Sequence, residues 1–216
     1  MNLTWHGLSC FELGVKTAHG DVTVVIDPYE ASTGLRQRTL SAQLLLISHD
    51  GPDAAATSSV EGKPFTVRSP GEFEAKEVFV YGIAAPAKKE GKGTADDNLI
   101  FRVEAEDMRV AHLGALNRVL TNEELEQLKD IDILIVPVGG GRVLSSKLAV
   151  ELVNQIEPRV VIPMTYMTDG LKEALEPVDA FFKTLGVAKP DEVSKFKIVK
   201  KDLPQEDMKV VWLSRD

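Results

Sequence analysis

Leu44-Leu45-Leu46-Ile47-Ser48-His49-Asp50-Gly51-Pro52-Asp53-Ala54 is the stretch on which the reading of the fold turns. Four apolar residues in a row predict a strand covered on both faces. The residues from Ser48 onward then fall in the loop at that strand's carboxyl end, where layered α/β proteins build their sites. His49 and Asp53 are metal-donor types in that loop, whereas Gly51 and Ala54 between and beside them carry no donor. Zinc needs about four N, O or S ligands, about three of them from the protein in a catalytic centre. The turn alone therefore does not make one.

Outward from this stretch, the first third of the chain is a series of short strands: Leu3 to His6, Cys10 to Val15, Val22 to Ile26 and Gln43 to Ile47, separated by turn residues such as Gly7, Gly14 and Gly20. Phe65 to Val67, Val78 to Ile83, Leu99 to Val103 and Val110 to Leu113 continue the pattern. The rhythm then changes to helices alternating with strands. Thr121 and Glu124 form a capping box, flanked by Leu120 and Leu125 at the positions of a hydrophobic staple. Ile131 to Val138 reads as a buried strand ended by the turn Gly139-Gly140-Gly141. Ser145 or Ser146 caps a helix stopped by Pro158. A strand from Val160 to Ile162, a helix from Pro177 to Leu185 with Gly186 beyond it, and a closing hairpin of Phe196 to Val199 and Val210 to Leu213 complete the order. The expectation is one α/β domain over residues 1–216, a four-layer αββα sandwich. The polar loop from Pro86 to Asn98 reads either as a cover over a site or as a tolerated surface insertion.

Composition narrows the function classes. Lys+Arg 25 against Asp+Glu 33 gives a net charge of −8, and basic residues gather only in short patches such as Lys195 to Lys201, which reads as a solvated strand edge. Nucleic acid is not an expected partner, since phosphate contacts need concentrated Lys and Arg. Cys10 is the single cysteine, which excludes an internal disulfide, and it reads as a small buried hydrophobe. The first residues lack the basic and apolar regions of a signal peptide, and no apolar run reaches the roughly 20 residues of a membrane span. A cytoplasmic protein with no membrane partner is expected.

An ordered set of motifs now resembles the metallo-β-lactamase superfamily, nearest to its short Zn-dependent hydrolase branch, similar to ascorbate-6-phosphate lactonases. The set is Gly7-Leu8-Ser9-Cys10-Phe11, Ile26-Asp27-Pro28, Gly34-Leu35-Arg36, Pro70-Gly71-Glu72-Phe73-Glu74, His112-Leu113-Gly114-Ala115, Val136-Pro137-Val138-Gly139-Gly140 and Ile162-Pro163-Met164-Thr165-Tyr166. It covers roughly residues 3 to 186. The resemblance implies a metal signature His-x-His-x-Asp-His at 49, 51, 53 and 54 and further ligands at 87, 115 and 165. Of those seven positions only His49 and Asp53 keep a coordinating side chain.

The resemblance implies a protein whose metal centre is depleted. The leading expectation is a non-catalytic binding or assembly protein in a soluble homo-oligomer, with a small-molecule ligand, no catalytic residue and no cofactor. The alternative is a divergent metal-dependent hydrolase of phosphorylated sugars, lactones or phosphodiesters. It would use one weakly held Zn or Mn at a remnant site of His49, Asp53 and His112.

Overall fold

Alternation of apolar and polar residues at the amino end produces three antiparallel strands, β1 (Asn2–Gly7), β2 (Cys10–Thr17) and β3 (Gly20–Ile26). The computed structural model describes residues 1–18, 20–87 and 97–216. β4 (Leu40–Ser41), β5 (Leu44–Leu46), β6 (Val60–Glu61) and β7 (Phe65–Val67) follow. A six-stranded sheet results, in the order β15, β1, β2, β3, β5, β7, where β15 is Phe196–Lys197. β3, β5 and β7 run parallel, so the ends of β3 and β5 point the same way.

The second sheet is built from β8 (Gly71–Ala75), β9 (Val78–Ala84), β10 (Leu99–Ala105), β11 (Met108–His112), β12 (Ile133–Pro137), β13 (Val160–Met164) and β16 (Lys209–Val210). Its order is β16, β13, β12, β11, β10, β9, β8. β8 to β11 pair antiparallel, while β11, β12, β13 and β16 pair parallel. β12 and β13 are buried at every residue, as parallel strands covered on both faces must be. Helices α2 (Ser146–Ile156) and α3 (Val178–Leu185) supply cover for this sheet through Leu152, Val153, Phe181 and Phe182.

The two-residue period of the strands sorts the core. Val24, Ile26, Leu44 and Leu46 join the main core with Val110 and Phe101. Val25, Leu45 and Ile47 point the other way, into a second cluster with Leu8, Tyr29, Leu35 and Leu40. The layer over this outer face is made of loops and two single 3-10 turns, Ala31–Thr33 and Thr57–Ser59. Among the described residues no α-helix precedes Asn122, so the first layer of the expected αββα order is irregular. Pro28, Gly34, Gly51 and Pro52 break that segment too often for a helix to form.

Helix α1 (Asn122–Gln127) begins as the sequence predicts. Thr121 accepts from the Glu124 amide and the Glu124 carboxylate accepts from the Thr121 amide, and Arg118 holds Glu124 through two hydrogen bonds of 2.8 and 2.7 Å. Ser145 caps α2, and α3 ends at Gly186 in the left-handed region.

One element differs from expectation. The closing hairpin is not formed: Phe196–Lys197 pairs with β1 in the first sheet, and Lys209–Val210 pairs with β13 in the second. Each segment is only two residues long, so an apolar neighbour on its own sheet outweighs pairing between the two. β14 (Glu192–Val193) and β17 (Trp212–Leu213) form a further small pair, as do β4 and β6. Within the basic run, Lys200 is anchored rather than merely solvated, with Nζ 3.0 Å from both carboxylate oxygens of buried Asp132. Among the described residues, no helix is long and apolar enough to cross a membrane.

The parallel strands bring five carboxyl ends to one rim: β3 into Asp27, β5 into Ser48 and His49, β11 into Leu113, β12 into Val138, and β13 into Thr165. Backbone bonds stitch the sheets together there. The Leu99 amide donates to the Ser48 carbonyl at 2.8 Å, and the Thr165 amide to the Leu8 carbonyl at 3.1 Å.

Replacement of Thr121 by alanine removes one half of the capping box, and is expected to lower stability by about 1 kcal/mol. Urea titration with an unchanged slope is the check; an unaltered midpoint would show that the box contributes nothing here.

Candidate active site at the strand ends

The end of β5 is held by Asp27, which sits fully buried with a φ of 49°. Its Oδ1 accepts from the Ser48 amide at 2.7 Å and its Oδ2 from the Ser48 hydroxyl at 2.5 Å. Since that hydroxyl hydrogen goes to Asp27, Ser48 Oγ can only accept from His49 Nδ1, which lies 2.8 Å away. The imidazole is thereby oriented with Nδ1 as donor and Nε2 facing the next loop. There Nε2 is 2.9 Å from Asp53 Oδ2. A neutral ring in this tautomer would set two lone pairs against each other, so the metal-free contact requires an imidazolium.

Electrostatics agree with that geometry. Burial on its own would lower the His49 pKa, but the Asp53 hydrogen bond and the charges of Asp27 and Asp53 outweigh it and raise the value above the ordinary one, against some repulsion from Arg142. For Asp53, burial pushes upward, and the hydrogen bond from His49 with the charges of His49 and Arg142 brings the pKa below its ordinary value.

Arg142 enters from the turn after β12. Its Nη2 comes within 2.8 Å of Asp53 Oδ2, an ion pair without hydrogen-bond alignment, while its Nε donates to Glu173 at 2.8 and 3.0 Å. The glycine triplet makes this approach feasible. Gly140 and Gly141 both have positive φ, 66° and 61°, and a Cβ on Gly139 would lie 2.2 Å from the Thr165 carbonyl oxygen. The triplet's work is therefore to turn the chain and bring two strand ends together.

The remaining positions singled out from sequence are arranged differently. His112, a third donor in the alternative reading and otherwise read as structural, is not brought to the pair: Nε2 donates to the Ser9 carbonyl at 2.9 Å and Nδ1 accepts from the Gly114 amide at 3.2 Å. Both nitrogens are committed to backbone, and burial lowers the pKa of the ring, which keeps it neutral. Gly51 has a φ of 143°, and a Cβ there would meet Asp53 Oδ1 at 2.7 Å. Ala54 is fully buried. Thr165 is buried with a φ of 50°, and its hydroxyl has no hydrogen-bond partner. Ala115 is held by Asn98, whose Oδ1 accepts the Ala115 amide at 2.8 Å. Among the described residues no three His, Cys, Asp or Glu side chains gather as a metal-holding group. Cys10 is buried, and burial followed by the charges of Asp27 and Glu12 pushes its thiol well above the ordinary range. It packs as a hydrophobe and supplies no thiolate.

Beside His49 lies a cleft of about 510 Å³, lined by Ser48, His49, Asp50, Arg68, Ser69, Pro70, Pro86, Asp97 and Asn98 among others. The loop read as a cover or a surface insertion borders it, but residues 88–96 lie outside the described residues. Sequence reasoning missed Asp27, Ser48, Arg142 and Glu173. The only signal for the first two was an aspartate and a serine each closing a buried strand. Arg142 was signalled only as the one charge carried by a glycine turn.

Two mixed sheets with a polar rim at the ends of their parallel strands define the class as a metallo-β-lactamase sandwich. The chain belongs to the beta-lactamase superfamily: residues 2–165 match the model of its domain. A UPF0173 protein of Pyrococcus abyssi is 30% identical over 188 residues, covering 79% of this chain and 85% of that one. A UPF0173 metal-dependent hydrolase of Thermoplasma acidophilum is 24% identical over 207 residues, covering 81% and 87%. A crystal structure from Thermotoga maritima, assigned to the Zn-dependent hydrolases of the metallo-beta-lactamase superfamily, superimposes with a TM-score of 0.79 at 30% identity. It covers 98% of this chain and 97% of its own. These relatives correct the expectation that no metal cofactor is involved. Relatives that match 81% and 98% of this chain are named as metal-dependent and Zn-dependent hydrolases.

A raised imidazole pKa stabilises the fold fully below its unfolded value and loses that contribution as pH rises through the folded one. A depressed carboxylate pKa stabilises above its unfolded value and is lost as pH falls through the folded one. Both contributions of the His49–Asp53 pair are thus present between the ordinary values 3.8 and 6.5. Wild type should exceed His49→Gln by about 3 kcal/mol near pH 5, with a smaller gap at pH 9. Equal gaps at the two pH values in urea titrations would contradict the charged pair.

Proposed function

We propose that this chain is a divergent metal-dependent hydrolase that uses one exchangeable divalent ion at His49 and Asp53. The reading is carried by a single observation: His49, which lines the cleft, brings Nε2 to 2.9 Å from Asp53 Oδ2, with Nδ1 already fixed as a donor to Ser48. Such outer support of a histidine, here Ser48 backed by Asp27, holds the other nitrogen ready for a cation. Two protein donors with water completing the shell give weak binding, which fits an ion that exchanges.

When bound, the ion supplies Lewis-acid polarisation and a water of lowered pKa. The chain's own residues do the rest. Ser48 and Asp27 keep the imidazole from rotating. The cleft's size suits a small molecule. Arg68 leans on Asp50 at 2.6 Å, with both side chains largely exposed. An exposed pair of this kind is worth little, so Arg68 is free to take an anionic group of the substrate. Phosphorylated sugars, lactones and phosphodiesters are the substrate classes proposed, and the metal-dependent hydrolase names of the relatives support the reaction type.

A second reading, a non-catalytic binding protein, is favoured by the Arg142–Asp53 contact, which already balances the charge of Asp53. We also propose a homo-oligomer, supported by the apolar surface left at Phe65 and Phe79, which are 49% and 47% exposed. Sedimentation velocity tests that directly, and a purely monomeric boundary would contradict it.

The deciding assay compares wild type with His49→Ala on a chromogenic aryl phosphodiester and on a lactone, with Zn²⁺ or Mn²⁺ added. Metal-stimulated turnover in wild type that falls to background in the variant is expected. No stimulation in wild type, or equal turnover in the two proteins, would replace the hydrolase with the binding protein.

A further inference from the structure

We infer that the outer face of β8 to β11 in the second sheet is the surface by which two copies of this chain pair face to face. The inference rests on the homo-oligomer of the reading above, names its interface, and is independent of any metal. Strand register builds the face. Glu72, Tyr81 and Arg102 lie side by side across β8, β9 and β10, and in the next row Glu74, Phe79, Glu104 and Arg109 lie side by side across β8 to β11. Residues two apart in a strand share a face, so both rows look outward, while the row between them, Phe73, Val80, Val103 and Val110, packs in the core. The helices leave the outer rows open to water. α1 is six residues long and stops beside Arg102, whose Nη1 donates to the Gln127 carbonyl at 2.7 Å. α2 packs on α3 and β12 instead. Phe79 is left 47% exposed, with Glu72 and Glu74 exposed beside it on the edge strand.

The occupant that fits this face is a second copy of it, because its charges are sorted by strand. Carboxylates stand on β8, the aromatic rings of Phe79 and Tyr81 on β9, and the guanidinium groups of Arg102 and Arg109 on β10 and β11. Glu104 lies between the two arginines, 3.1 Å from Arg102 Nε and 3.3 Å from Arg109 Nε. A two-fold axis parallel to the strands, between β9 and β10, turns β8 of one copy over β11 of the other. Glu74 then meets Arg109 of the second copy and Tyr81 meets its Arg102, each contact occurring twice as an isologous interface requires. Phe79 of the second copy falls beside a hollow of about 380 Å³ bordered by Phe79, Glu104, Met108 and Arg109. An axis across the strands would stack β8 on β8 and set carboxylate against carboxylate, so the charge pattern selects the first. The contact groups are also ordered beforehand: the Arg102 guanidinium lies 4.0 Å over the Tyr81 ring, and Arg109 Nη1 is 3.2 Å from Asp130. Side chains fixed before contact lose little entropy on pairing, and aromatic and arginine side chains carry most of the energy of an interface. A basic peptide laid along β8 would use Glu72 and Glu74 but would meet like charge at Arg102 and Arg109.

The test is sedimentation velocity of the full chain over a dilution series, with circular dichroism to show that each variant is folded. Wild type should show a concentration-dependent dimer. Glu74→Arg and Arg109→Glu each set like charges together at two symmetric contacts, and each alone should raise the dissociation constant at least about tenfold. Mixed in equal amounts, the two variants should associate again, since every Glu74–Arg109 contact between unlike copies then joins opposite charges. Phe79→Ser should weaken the dimer by a similar factor. A wild type that stays monomeric throughout overturns this inference and the oligomer together. A dimer that none of the three variants weakens keeps the oligomer and sinks this face. Weakening without recovery on mixing refutes the axis and the pairing with it. Should Arg109→Glu fail to fold beside Glu104 and Asp130, Glu74→Arg and Phe79→Ser still decide, because both replace exposed side chains and an intact dimer in either contradicts the face. Turnover in the His49 assay bears on none of these results, so the hydrolase stands or falls separately.

Discussion

The Asp53 carboxylate, shared between His49 and Arg142, is the interaction that organises the rim. A carboxylate as largely withdrawn from water as this one is held by close counter-charges and hydrogen bonds. Its partners come from two directions. His49 arrives at the end of β5, braced by Ser48 and Asp27, and Arg142 arrives on the glycine turn after β12, braced by Glu173. The result is an alternating run of charges that links the ends of both sheets. Removing either cation leaves the other to carry Asp53 alone.

Much of the fold was legible because its signals are local. Period-two alternation located the strands, the Thr121 and Glu124 pair located α1, and Ser145 and Gly186 bounded α2 and α3, since each is decided within one turn of chain. The closing hairpin was not legible. Two-residue strands carry no period of their own, and their partners, β1 and β13, are remote in sequence.

The site was legible only in part for the same reason. His49 and Asp53 lie four apart on one loop and could be read together. Their convergence depends on Ser48 and Asp27, and their charge balance on Arg142 and Glu173, all of which come from tertiary contacts. His112, which the sequence left open between a structural role and a third donor, shows the converse. A histidine at a strand end within a recognisable motif can be read either way, and here both of its nitrogens are spent on the turns around Ser9 and Gly114. Position in a motif does not reveal which lone pair is free. The same holds for the signature positions without donors: Gly51 is kept as glycine by its φ of 143° and by the closeness of Asp53, so its identity follows from this loop's own geometry.

The central claim is that His49 presents Nε2 to a cation while Nδ1 stays bound to Ser48. ¹⁵N NMR of the imidazole tests it most directly, with zinc titrated into metal-free protein near neutral pH. Both ring nitrogens of His49 should be protonated at the start, and on zinc addition Nε2 alone should lose its proton and move to the metal-bound range. A His49 signal that stays unchanged at saturating zinc, or that loses the Nδ1 proton instead, would contradict the account.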